Sequence, residues 1–176
     1  MDSEPSSVEE ELLPVVDERD RIVGIERRGV IHARELLHRA VHIILVDDLG
    51  RVYLQRRSWE KDSAPGKWDS SCSGHVDAGE SYDEAAIREL MEELGIESQG
   101  APRRVGKLTA SAATGMEFST VYTMQTASEP VPDPREIIEG RWADPLDLDD
   151  WIERFPSDFA ECFLQVWEHC RERIFE

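Results

Sequence analysis

GHVDAGESYDEAAIRELMEELGI, residues 74–96, decides how this chain is read. Within it, SYDEAAIRELMEEL carries the marks of one helix. Ser81 and Glu84 stand at capping-box spacing, and Gly95 supplies the stop. At 100° per residue, Glu89, Glu92 and Glu93 cover about 100° of one side of that helix. Ile87, Leu90, Met91 and Leu94 fill the adjacent arc and are expected to face the core. Like charges three and four residues apart repel by ~0.2–0.5 kcal/mol per pair, so something should compensate them. A solvated face is one reading of such a run, and a cation site is the other. The residues before the helix favour the cation: Gly74 and Gly79 permit close backbone approach, and Glu80 is placed to pair with Arg88. Hard divalent cations take oxygen ligands and keep waters and substrate phosphates in their shell.

Composition narrows the chemistry further. The chain has 176 residues, enough for one domain with a real core, and a net charge of -18 from 38 acidic and 20 basic residues. Such a surface repels nucleic acid, whereas a small anionic substrate bridged to carboxylates by divalent cations is compatible with it. No run approaches the roughly 18 apolar residues of a membrane span. The acidic MDSEPSSVEEELL lacks the basic and apolar regions of a signal peptide, so a cytoplasmic protein is expected. Three cysteines, Cys72, Cys162 and Cys170, indicate no disulfide framework.

Along the chain, residues 1–11 read as a disordered acidic tail and 12–176 as a single domain. LPVVDERDRIVGIERR (13–28) has the pattern of a hairpin, and HARELLHRA that of a loop with a helical turn. AVHIILVDDLGRVYLQRRS gives a second hairpin turning at Asp47–Gly50. SAPGKWDSSCSGHVDAGES is loop-like, with Pro65-Gly66 as punctuation. RVGKLTASAAT, EFSTVYTMQT and IIEGRWADP read as further strands. Phe159, Cys162, Phe163, Val166, Trp167 and Cys170 recur at helical spacing, which predicts a closing amphipathic helix with both cysteines in the core. Several strands with a central and a closing helix imply an α/β fold, a mixed sheet with helices on its faces.

The glutamate stretch resembles the Nudix box: Gly, five residues, Glu, seven residues, Arg-Glu-hydrophobic, one residue, Glu-Glu, one residue, Gly-hydrophobic. Every specified position is filled, by Gly74, Glu80, Arg88, Glu89, Leu90, Glu92, Glu93, Gly95 and Ile96. The resemblance implies an α/β/α sandwich and hydrolysis of a diphosphate linkage in a nucleoside diphosphate derivative or other organic diphosphate. It implies Mg²⁺ or Mn²⁺ held by Glu89, Glu92 and Glu93, with Gly74 at the site. Glu80 then orients Arg88, and Glu93 is the first choice of general base.

Beyond the box, LHRAVHIILVDDLGRVYLQRRSWEKDSAPGKWDSSCSGHVDAGES is similar to the branch containing type I isopentenyl-diphosphate isomerases. That resemblance covers roughly residues 13–155. It marks His38, His75 and Glu117 as positions of metal binding or catalysis, with His32 an approximate further ligand whose spacing to His38 is one residue short. It marks Arg57 and Lys61 as diphosphate contacts and puts Glu117 beside the substrate. Two departures favour a hydrolase. The isomerase's catalytic Cys position is Ser73 here, with Cys72 one place early, and Gly115 replaces a second metal-binding carboxylate. A third reading, a non-catalytic diphosphate-binding protein, is disfavoured because no box glutamate is lost. Trp59, Trp68 and Trp142 are candidates for stacking on a base or for core packing, and the N-terminal hairpin for a homodimer contact.

Overall fold

The computed structural model describes residues 10–176, so the tail expected over 1–11 lies mostly outside the described residues; Glu11 is placed, its carbonyl accepting the Arg28 N–H at 2.8 Å. The first hairpin forms as expected, β1 (Leu12–Val16) antiparallel to β2 (Ile22–Arg27), as a separate two-stranded sheet. A short helix α1 (Arg28–Ala33) follows and ends just after His32.

The rest of the chain builds a seven-stranded sheet. Its central strand β3 (His38–Val46) turns through Asp47–Gly50 into β4 (Val52–Arg57), the second expected hairpin. The stretch read as a loop instead contains β5 (Trp68–Asp69) and β6 (Cys72–His75). Asp is a poor strand former, and Ser71, in the bend between the two strands, ties that bend to the sheet. Its hydroxyl donates to the Tyr53 carbonyl at 2.6 Å and accepts the Leu45 N–H at 2.8 Å.

Helix α2 (Tyr82–Leu94) comes next, with the expected capping box: Ser81 accepts the Glu84 N–H, and the Glu84 carboxylate accepts the Ser81 N–H. Gly95, at φ 63°, ends it in the left-handed region, where Ile96 N–H returns to the Leu90 carbonyl at 3.1 Å. β7 (Arg103–Leu108), β8 (Glu117–Gln125) and β9 (Ile137–Ala143) complete the sheet. β3 and β8 run parallel while the other pairs are antiparallel, so the sheet is mixed.

Two helices close the chain. α3 (Pro145–Arg154) was not expected from the sequence, although Asp144 caps it and Pro145 opens it. α4 (Glu161–Ile174) is the expected closing helix.

Strand alternation divides the core into two layers. Val41, Ile43 and Leu45 of β3 pack with Cys72, Leu90, Leu94 and Tyr122 under α2. Ile44, Val46 and Leu54 pack with Val121, Phe163, Val166 and Trp167 under α4. Each fully buried leucine or valine contributes ~1.5–3 kcal/mol of burial. Helix α2 is rolled relative to the expected arc: Leu90 and Leu94 are buried, but Met91 is 44% exposed. The roll turns Glu89 and Glu93 inward, and those two glutamates set the helix orientation as much as its leucines do.

Candidate active site

Helix α2 meets strand β6 through its acidic side. Glu89 and Glu93 are buried, while the Glu92 side chain is 60% exposed. Arg88 organises the group. Its Nε and Nη2 donate to the two Glu80 carboxylate oxygens at 2.9 and 3.0 Å, its Nη1 donates to Glu89 at 2.7 Å and to Glu92 at 3.2 Å, and Nη2 also donates to the His75 carbonyl at 2.9 Å. The expected Glu80–Arg88 pairing is thus a bidentate clamp. Gly74 makes room for it: a Cβ there would lie 2.0 Å from Glu89 Oε1.

Burial pushes the Glu89 carboxyl up to about 7, even though Arg88 works against it. Burial, and then repulsion from Glu89, holds Glu93 well above the usual carboxylate range. Gln55 Nε2 donates to Glu93 at 3.0 Å. Both carboxyls are thus kept from ionising easily, and a divalent cation is one partner that would offset the cost.

A second cluster lies on the other face of the sheet. Parallel pairing sets His38 opposite Glu117, and β6 sets His75 opposite Ala40, so His75 and Glu117 flank the same strand. His75 Nε2 lies 3.0 Å and His38 Nε2 3.4 Å from the Glu117 carboxylate. His32 joins them, its ring centroid 5.4 Å from His38 and 5.2 Å from His75. The spacing to His38 that is one residue short in sequence is absorbed by α1 and the loop after it. His32, His38 and His75 offer three ring nitrogens within 4.8 Å of one another. Burial would raise the Glu117 carboxyl, but the His38 and His75 rings outweigh it and hold it below the usual range. Burial lowers His32 to about 4, helped by His75 and Arg28. His38 is buried, and Glu117 is the carboxylate its Nε2 faces.

Arg57 and Lys61 are not free. Arg57 Nη1 donates to Asp69 at 3.0 Å and its Nε to the Ser63 carbonyl at 3.0 Å, while Lys61 pairs with Glu136 near Glu93. Cys72 is fully buried in the α2 layer. Ser73 and His75 alternate to the opposite face, so the Cys72 thiol points away from Glu117. Gly115 sits at φ 68° in the turn before β8, a conformation a carboxylate-bearing residue adopts only with strain. Trp68 is core, Trp142 packs edge-on to Tyr53 at 5.1 Å, and exposed Trp59 lies under the Arg56 guanidinium at 5.4 Å.

Cys162 departs from the expected core stripe. Its Sγ lies 3.3 Å from His42 Nε2, on the Glu117 side, whereas Cys170 is buried in the α4 layer. His42, Asp69, Gln55 and Asp62 were missed from sequence. His42, at two-residue alternation from His38, was the one with a readable signal.

The NUDIX domain family model matches residues 36–163. An uncharacterized Nudix hydrolase of Streptomyces coelicolor is 41% identical over 138 residues, covering 78% of this chain and 76% of its own. An isopentenyl-diphosphate Delta-isomerase of Serratia proteamaculans is 34% identical over 162 residues, covering 89% of each chain. The crystal structure of DR0079 from Deinococcus radiodurans aligns with a TM-score of 0.76 at 31% identity, covering 94% of this chain and 100% of that one. Taken with the complete box and the clamp that Arg88 builds from it, these matches establish that the chain belongs to the Nudix hydrolase family.

Proposed function

We propose that the protein hydrolyses a diphosphate linkage in a nucleoside diphosphate derivative or another small organic diphosphate. The observation that carries this reading is the buried Glu89–Glu93 pair, Glu89 held by Arg88 in space that Gly74 leaves open and Glu93 held by Gln55. The donor set fits Mg²⁺ or Mn²⁺: Glu89, Glu92 and Glu93, with the backbone at Gly74, offer oxygen ligands only. When bound, the cation supplies the charge that phosphates need and lowers the pKa of an attacking water.

The remaining work falls to side chains. Glu93, held by Gln55, accepts the water proton, and Glu80 fixes Arg88 so that Glu89 and Glu92 keep their places. Arg57 and Lys61 leave their carboxylate partners to grip the phosphates, Arg57 with two parallel hydrogen bonds. Glu117, expected beside the substrate, lies instead on the opposite face of the sheet with His38 and His75.

One observation favours a second reading, isopentenyl-diphosphate isomerisation. His32, His38 and His75 converge as a nitrogen ligand set, with Glu117 beside His38 and His75. Against it, the Cys72 thiol is sealed in the opposite layer and Ser73 offers a far weaker acid. The test is a panel of nucleoside, sugar and isoprenoid diphosphates with Mg²⁺, reading phosphate release and isomer formation together. Phosphate release that vanishes in chelator and in Glu93→Gln supports the hydrolase. Isomer formation without phosphate release supports the second reading.

A further inference from the structure

Under α4, alternation carries His38, Ala40 and His42 along β3, beside Glu117, Ser119 and Val121 along β8. Helix α4 sets Cys162 over this row. Its Sγ is 3.3 Å from His42 Nε2, and the ligand atoms of His42, Cys162 and Glu117 lie within 4.8 Å of one another. We infer that these three residues form a transition-metal site matched to Zn²⁺, separate from the glutamate site and adding to the hydrolase reading without resting on it.

Three features of the cluster point to a metal ion. The first is donor chemistry: one thiolate, one imidazole and one carboxylate suit Zn²⁺, while the all-oxygen glutamate group suits Mg²⁺. The second is spacing. A tetrahedral Zn²⁺ with its usual sulfur and nitrogen bond lengths holds those two atoms ~3.6 Å apart, close to the separation already present. The third is orientation. His42 Nδ1 lies 2.8 Å from Ser70 Oγ, with Asp69 Oδ1 3.8 Å away, so the ring is fixed with Nε2 facing Cys162. Metal-binding histidines are aligned by such outer partners.

A bare thiol–imidazole hydrogen bond accounts for less. It assigns nothing to the Glu117 carboxylate oxygen that lies within the same 4.8 Å, a group that His75 and His38 hold from the other side. The Ser119 hydroxyl, fully buried, lies within hydrogen-bonding reach of the thiol. The same ion ties α4 to β3 and β8 and fixes Glu117, the carboxylate that the histidine cluster shares.

The test uses full-length metal-free protein titrated with Co²⁺ in excess Mg²⁺, followed by the near-ultraviolet thiolate-to-cobalt charge-transfer band. The expected result is a band that saturates at one ion per chain and is displaced by Zn²⁺. It should persist in Glu93→Gln, Cys72→Ala and Cys170→Ala. It should disappear in Cys162→Ala and require at least tenfold more Co²⁺ in His42→Gln, with circular dichroism confirming that both variants fold. If Cys162→Ala does not fold, Cys162→Ser with the same readout replaces it. Co²⁺ uptake with no thiolate band, lost in His32→Gln, would put the ion among the three histidines and overturn the inference. No uptake in excess Mg²⁺ would leave Cys162 and His42 as a hydrogen-bonded pair and overturn it too.

Discussion

Glu93→Gln should disable the enzyme and stabilise its metal-free form. In the folded, metal-free protein the Glu89 carboxyl is raised from 4.5 to about 7, which makes its ionisation cost about 3 kcal/mol. Glu93 is buried beside it, and burial first and Glu89 second hold its carboxyl well above the usual carboxylate range. The sign follows from proton binding. A carboxyl raised on folding keeps a proton that the unfolded chain has lost, so its penalty is absent below about pH 4.5 and grows as pH rises through the folded value. Replacing Glu93 by glutamine keeps an oxygen to accept from Gln55 and removes that penalty. Leaving a buried charged group uncompensated costs about 3 kcal/mol, so at pH 8 in chelator the variant should be more stable by about that amount. For a chain of this length that corresponds to a Tm increase of about 6–12 °C.

The assay is thermal unfolding of wild type and variant in chelator at pH 5 and pH 8, then with Mg²⁺. The variant's advantage should be small at pH 5, large at pH 8, and offset for the wild type by Mg²⁺, which stabilises only a protein able to bind it. Phosphate release should fall ~10²–10⁴-fold, the range for loss of a general base. A variant no more stable than wild type at pH 8 in chelator, or an advantage that does not grow with pH, would refute the reasoning.

Gly74→Ala places a methyl where Glu89 Oε1 lies, 2.0 Å away; because the displaced atoms are the end of a flexible side chain, Tm should change by only a few degrees while Mg²⁺ affinity falls ~10-fold or more, measured by calorimetric titration. Arg57→Lys keeps the charge but loses the planar fork, so KM for the diphosphate substrate should rise about tenfold; unchanged kinetics in both Arg57→Ala and Lys61→Ala would place the phosphates elsewhere. Cys72→Ala removes a sulfur from the α2 layer and should cost ~1 kcal/mol of stability with phosphate release unchanged; loss of an isomerase activity in that variant would reverse the assignment of this thiol. The pH–rate profile should rise through neutrality, because Glu89 and Glu93 must lose protons to hold the cation, and an optimum near pH 5 would count against the glutamate site.

How far the sequence could be read depended on whether a signal was local. The capping box at Ser81 and Glu84, the Gly95 stop and the Asp47–Gly50 turn are set by near neighbours, and each formed as written. Strand β6 depends on a distant partner: it pairs with residues 40–43 of β3, and Ser71 just before it anchors the bend through Tyr53 and Leu45. The roll of α2 that exposes Met91 reflects where Glu89 and Glu93 must point, which helical spacing alone does not encode. In the site, Glu80–Arg88 was legible because box spacing sets Glu80 in the loop that opens α2 and Arg88 on the helix itself. The gathering of His32 with His38 and His75 was obscured by a one-residue deficit that α1 makes good. Cys162 was read as core because its spacing matches the apolar stripe; the buried partner that sets its role, His42, stands 120 residues earlier in the chain.

Strand β6 explains how one small domain separates two ligand chemistries. Its alternation sends Gly74 toward α2, where the missing side chain admits Glu89, and sends His75 through the sheet toward Glu117. The backbone between them is held from the α2 side, since Arg88 Nη2 donates to the His75 carbonyl while the same guanidinium clamps Glu80 and Glu89. One arginine therefore positions carboxylates on one face and the root of an imidazole on the other. Carboxylate oxygens are ligands for hard cations, whereas imidazole nitrogens suit borderline metals. A shift of Arg88 should be felt at both. In Arg88→Gln, loss of the clamp is expected to weaken Mg²⁺ binding strongly and to loosen His75, seen as a changed imidazole resonance in the metal-free protein by NMR. A variant that loses Mg²⁺ affinity while the His75 resonance stays where it was would show that the two faces are mechanically independent.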